Sequence, residues 1–167
     1  MYNELSEVDI KKMQEEIDYK TRVVRPKCIE DLKTARGFGD LSENYEYKAA
    51  KQELRRCDSR LRYLRRMIAT AKVLSADSPD DVVGLFDRVE LYYEEDDETE
   101  EITLMTTLRE DAVNGIISKE SPLGRAVMGR RVGERALVKV NDDICYAIRI
   151  ISIRKGTDDD SLPISAY

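Results

Sequence analysis

The chain has 167 residues, 37% charged and 41% hydrophobic, and a net charge of −6 with no histidine, which excludes most zinc chemistry and Ser-His or Cys-His catalysis. Its three cysteines lack CxxC spacing, so neither a disulfide framework nor a zinc site is indicated. No apolar run approaches bilayer length and the opening MYNELSEVDI lacks the apolar core of a signal peptide, so a cytoplasmic protein without membrane contact is expected.

The charge is divided unevenly. Residues 1–74 carry 17 Lys/Arg against 13 Asp/Glu, and the remainder 11 against 21. A basic first part joined to an acidic second part points to two surfaces with two different partners.

Ser6-Glu7-Val8-Asp9 has the spacing of a capping box and opens a first helix. Ile10, Met13, Ile17, Val24, Cys28, Leu32, Ala35 and Phe38 form a loose heptad seam along it. Pro26 falls inside and should cost a backbone hydrogen bond and kink the rod. Gly39 is placed to end the helix in a left-handed turn. A stricter seam follows: Tyr47, Ala50, Leu54, Cys57, Leu61, Leu64, Ile68 and Ala71. Folding back between Ser42 and Glu43 brings the seams into register, with Phe38 on Tyr47, Ala35 on Ala50, Cys28 on Cys57, Val24 on Leu61 and Ile17 on Ile68. The expectation is an antiparallel coiled-coil hairpin over 1–74, its arms roughly 45 Å long at 1.5 Å per residue, with an acidic tip at 39–45.

Residues 75–81, polar and containing Pro79, read as a linker. The period then changes to alternation. Val89, Leu91 and Tyr93 form one strand, Glu94–Glu101 a hairpin turn, and Ile102, Leu104, Thr106 and Leu108 the next strand. Leu137, Lys139 and Asn141, then Tyr146, Ile148 and Ile150, repeat the pattern around an Asn141-Asp142-Asp143 turn. Ser121 as cap and Pro122 as first residue open a short helix presenting Leu123, Val127 and Met128. The fold class is therefore α+β: the hairpin, then a small antiparallel sheet with one short helix over 82–155, then a frayed acidic tail over 156–167.

Asp40 and Glu43 admit two readings. Asp-x-x-Glu is a capping-box spacing, which on spacing alone is the stronger reading. Two carboxylates on an exposed tip also suit a divalent metal, but magnesium wants six oxygens, so a partner would have to supply the rest. Lys48, Lys51, Arg55, Arg62, Arg65 and Lys72 share an outer ridge of the second helix with few matching acids. A solvated coiled-coil face and an RNA-binding stripe are both consistent with that ridge. Cys28 and Cys57 read as two small buried thiols, and Cys145 as core packing on a strand. Tyr45 and Tyr47 read most simply as packing against Phe38, with stacking on a base the other reading.

GFGDLSENYEYKAAK, with RVVRP upstream and ISKESPLGRAVMGRRVGE downstream, resembles the Gre family of bacterial transcript-cleavage and elongation factors, of the GreA type. The resemblance covers nearly the whole chain. It implies a non-enzymatic accessory factor whose coiled coil enters the secondary channel of RNA polymerase and stimulates the polymerase's own cleavage of backtracked RNA 3′ ends. Asp40 and Glu43 would then support Mg²⁺ shared with the polymerase, no cofactor being bound by the free protein, which is expected to be a monomer. Leu41, Ser42, Asn44 and Tyr45 would complete the tip loop. Lys48, Lys51, Arg55, Arg62 and Arg65 would face the RNA. The second part would resemble an FKBP-like domain, with Glu120, Ser121 and Pro122 docking it on the polymerase. The alternative within the same architecture is a channel-binding inhibitor that does not promote cleavage. A peptidyl-prolyl isomerase is disfavoured because residues 75–167 hold one Phe, Phe86, and no Trp for an aromatic pocket. A generic coiled-coil adaptor leaves the tip and the second domain unexplained.

Overall fold

The computed structural model describes residues 4–38, 44–74, 77–158 and 161–164. Gly39, Asp40, Leu41, Ser42 and Glu43 lie outside the described residues. Contacts divide the chain into two units: Asp9–Lys72, and Val73 onward joined by the N-terminal segment up to Val8.

In the helical unit, α1 (Glu7–Tyr19), a π-helical turn (Lys20–Val24) and α2 (Arg25–Arg36) make the first arm, and α3 (Tyr45–Ala69) the second. The π turn is how the arm accommodates its proline. Pro26 occupies the second position of α2, and the N–H of Arg25 reaches back to the Lys20 carbonyl. The wider turn takes the preceding carbonyls out of the path of the pyrrolidine ring, so the helix continues through the proline.

Met13, Ile17 and Ala35 from the first arm and Cys57, Leu61, Leu64 and Met67 from the second are buried. Each large side chain so buried is worth about 1.5–3 kcal/mol. The rest of the seam, including Val24, Cys28, Leu32, Ala50, Leu54 and Ile68, is half-buried, because a two-helix pair covers a seam from one side only. Gln14, Ile17 and Thr21 line one groove with Arg65, Ile68 and Ala69, which puts Ile17 beside Ile68. Burial raises the Cys57 thiol's pKa, and the neighbouring Cys28 raises it further, as the pairing of those residues requires. Arg25 Nε meets Asp58 Oδ1 at 2.8 Å across the arms. Arg60 donates to both oxygens of Glu16 at 2.9 and 2.8 Å.

The seam fails at its outer end. Phe38 is 68% exposed, so it is not buried in the seam as the pairing with Tyr47 led one to expect. The residue buried at this end of the first arm is the small Ala35. The first arm also stops earlier than expected, at Arg36, with Gly37 right-handed at φ −72°.

The second unit holds a five-stranded sheet: β3 (Arg88–Tyr93), β4 (Glu98–Met105), β5 (Ile116–Ser118), β6 (Arg135–Lys139) and β7 (Cys145–Arg154), in the order β5-β4-β3-β7-β6. Two short strands, β1 (Glu4–Leu5) and β2 (Lys72–Val73), precede them, and the Leu74 N–H donates to the Leu5 carbonyl at 2.9 Å. β3 pairs antiparallel with both neighbours, whereas β5 runs parallel to β4, so the sheet is mixed rather than purely antiparallel. Val89, Leu91, Ile102, Leu104, Ala136, Val138, Ile148 and Ile150 build the core, closed by Val127 of α4 (Pro122–Val127).

Several sequence expectations change here: β4 ends at Met105, so Thr106 and Leu108 lie outside it, Leu108 in a short 3₁₀ turn (Thr107–Arg109). The acidic turn is only Glu94–Asp97, and Glu98–Glu101 belong to β4, with Tyr93 opposite Glu98. In β6 the inward phase is Ala136 and Val138, while Leu137 is 60% exposed. Cys145 is exposed at the start of β7, where the strand has not yet come over the core. Finally, the described part of the tail is packed rather than frayed. The Gly156 N–H donates to Asp87 at 3.2 Å, and a Cβ on Gly156 would come within 1.8 Å of the Phe86 carbonyl oxygen. Lys155 Nζ binds Asp87 at 2.6 Å and the carbonyls of Pro79 and Val82, which also ties down the segment read as linker. Leu162 packs on Leu85, Phe86 and Met105. The buried Arg109 donates to Ser6 Oγ at 3.0 Å and to Asp158, with its guanidinium over the Phe86 ring.

Candidate functional site

The tip is framed by one side chain that serves both helices. Asn44, in extended conformation, is the N-cap of α3, and its Oδ1 accepts from the Tyr47 N–H at 2.9 Å. Its Nδ2 donates to the Ala35 carbonyl at 2.8 Å, a second donor to an acceptor near the end of α2 that also takes the Phe38 N–H at 3.3 Å. An amide is the side chain that can accept and donate at once in this position. Asn44 therefore holds the N-cap position that spacing offered to Asp40, while Asp40 and Glu43 lie outside the described residues. The signal is present in the sequence, an Asn immediately before the strict seam; the acidic pair just upstream draws the capping reading away from it.

Next to Asn44, Tyr45 is 83% exposed, with the Lys48 ammonium 5.7 Å from its ring centroid. Tyr47 lies between Arg36 and Lys51, at 5.9 and 5.6 Å from its centroid. A hydrogen bond with Arg36, helped by the charge of Lys51, lowers the Tyr47 hydroxyl's pKa. These cations lie against both rings, for which packing on Phe38 was the expectation.

Lys48, Lys51, Arg55, Arg62 and Arg65 are all exposed on α3. The acids that might have neutralised them are engaged elsewhere: Glu53 with Arg56, Asp58 with Arg25, and Glu16 with Arg60. Arg60 and, less strongly, Lys20 hold the Glu16 carboxyl below its ordinary value against the opposing effect of burial. The exposed arginines are thus left to the solvent side.

In the second unit Ser121 caps α4, its Oγ accepting from the Gly124 N–H at 2.9 Å, and Pro122 takes the first helical position. Gly124 lies so close to the Ser118 carbonyl that a Cβ would come within 2.1 Å of it. Glu120 sits at the start of this turn, its N–H donating to Ser118 Oγ at 3.1 Å. Glu120, Lys119 and Arg125 border an open cavity of about 590 Å³ floored by Val83, Leu85 and Met128. Among the described residues no group of three or more His, Cys, Asp or Glu stands together as a metal site. No helix among them is long and apolar enough to cross a membrane.

The chain thus carries a helical hairpin with an exposed basic ridge and a small mixed-sheet unit whose capped helix borders an open cavity. The chain belongs to the GreA/GreB family of transcription elongation factors. Residues 3–73 match the family model described as transcription elongation factor, N-terminal, and residues 78–155 match transcription elongation factor, GreA/GreB, C-term. The transcription elongation factor GreA of Thermoanaerobacter pseudethanolicus is 39% identical over 147 residues, 87% of this chain and 93% of its own. That of Geobacillus kaustophilus is 40% identical over 129 residues, 77% of this chain and 82% of its own. The solved structure of GreA factor homolog 1 (Gfh1) of Thermus thermophilus covers 91% of this chain and 98% of its own, at 21% identity and a TM-score of 0.40.

Proposed function

We propose that this elongation factor inserts its hairpin into the secondary channel of RNA polymerase and stimulates cleavage of backtracked RNA 3′ ends by the polymerase's own active centre. The observation that carries the reading is the Asn44 cap: with Asn44 as the N-cap of α3, the helix does not need Asp40 in that place. Two carboxylates fill only part of a magnesium shell, so the remaining oxygens would come from the polymerase. There a second metal ion would activate water and stabilise the leaving oxygen of the phosphodiester. Asp40 and Glu43 would hold that ion, Leu41 and Ser42 would complete the loop, and Asn44 would fix the loop's return. Arg55, Arg62 and Arg65 would meet phosphates of the extruded RNA. Glu120, Ser121 and Pro122 would seat the second unit on the polymerase.

The test is cleavage in a stalled elongation complex. Asp40→Ala and Glu43→Ala should each abolish stimulation while leaving polymerase binding intact. Normal cleavage by both variants would remove the tip acids from the mechanism. A wild-type chain that binds and slows the polymerase without cleavage would be the inhibitor instead.

A further inference from the structure

We propose that Tyr45 is a stacking platform for the terminal base of the RNA presented to the tip, a positioning residue for the cleavage reaction. The inference rests on the function proposed above and deepens it. Tyr45 is the first residue of α3, two beyond Glu43, and its backbone is held by the Asn44 cap beside it. The hairpin gains little from the ring. It lies off the seam, which runs through Tyr47, Ala50 and Leu54, and at 83% exposure it buries almost no apolar surface.

What the ring offers is a π face. Lys48, one turn on, places its ammonium over the ring, 5.7 Å from the centroid, and an aromatic backed by a cation on one side is free to stack on the other. A base in a single strand is the matching ligand, since every base has a π face and stacking needs no particular sequence. The surroundings select a polyanion over a protein wall. Arg36, Lys48 and Lys51 all lie against the two tyrosines, and an apolar channel surface would have to desolvate them.

The experiment uses the full chain and stalled elongation complexes carrying 2-aminopurine at the RNA 3′ end. Tyr45→Ala, Tyr45→Leu and Tyr45→Phe are compared for 2-aminopurine quenching, half-saturating concentration and cleavage rate at saturation. Each variant is first checked for unchanged helical circular dichroism. Ala and Leu should lose the quenching and lower the saturated rate roughly five- to tenfold, the low end of what one base–aromatic stack supplies. Phe should restore both, and the half-saturating concentration should stay as in the wild type. Wild-type quenching and rate in Tyr45→Ala would overturn the proposal. So would rescue by Leu, or a defect confined to the half-saturating concentration, either of which means contact with the channel wall. Repeating the fluorescence with Asp40→Ala as background separates the two claims: the ring can meet the base whether or not the tip drives cleavage.

Discussion

Replacing Asn44 should open the hairpin at its outer end, and the size of the effect follows from two hydrogen bonds. Asn44→Ala deletes the cap on the Tyr47 N–H and the bridge to the Ala35 carbonyl, at 2.9 and 2.8 Å. The lost cap costs about 1 kcal/mol, and the lost partly buried bridge about another 1 kcal/mol. Asn44→Asp keeps the cap and gains from a negative charge at the helix N-terminus, but it turns an acceptor toward the Ala35 carbonyl. Its net cost should be about half that of Ala. Hydrogen exchange of the Tyr47 amide, with thermal unfolding followed by helical circular dichroism, separates the cases. Tyr47 should lose protection in Asn44→Ala and keep it in Asn44→Asp, and stability should rank wild type, Asp, Ala. Equal destabilisation by Ala and Asp would refute the staple, as would a neutral Asn44→Ala.

Leu61→Asp places a charge in the buried seam and should cost at least about 3 kcal/mol. The helical signal should collapse while the sheet unit keeps its own unfolding transition; an intact helical spectrum would show the seam misassigned. The Glu16–Arg60 pair should make the hairpin acid-sensitive. Its stabilisation is present in full above the ordinary Glu value of 4.5 and is lost as pH falls through the lowered folded value. Urea midpoints of the wild type should therefore fall more steeply below that pH than those of Arg60→Gln, and parallel curves would remove the pair from the account. Replacing Arg55, Arg62 and Arg65 with Glu should reduce cleavage most on long extruded RNAs and flatten its salt dependence, because phosphate contacts release counterions. Equal loss on short and long RNAs would assign the ridge to docking on the polymerase.

The middle of the rod is legible in the sequence because Cys57, Leu61 and Leu64 hold a strict 3,4 spacing that a solvated helix has no reason to keep. Legibility fades where burial is not decided by periodicity. Phe38 continues the pattern but is exposed, and Met67 is buried one residue off the expected Ile68. In β6 the sequence RALVK offers two alternations, and the larger Leu137 points to the wrong one; the core takes Ala136 and Val138 instead. β5 is three residues long and pairs parallel, which leaves almost no pattern to read. The packing of the tail depends on Phe86, Asp87 and Arg109, all distant in sequence from the residues they hold. At the tip, the acids and Asn44 are both visible, but which of them starts α3 is a matter of backbone geometry.

The division of contacts has a consequence for how the molecule is made. Ser6 and Asp158, near opposite ends of the chain, meet on the same buried arginine, Arg109. In topological terms the hairpin is an insertion, Asp9–Lys72, into a globular unit that begins before it and finishes after it. On the ribosome the rod can pair its arms as soon as α3 emerges, and β1 can pair with β2 just after it, while Ser6 has to wait for Arg109 of the sheet unit to be synthesised. Cutting the chain at the boundary between its helical and alternating halves would therefore carry off Leu5 and Ser6 with the rod, and the remaining sheet would fold without its opening segment.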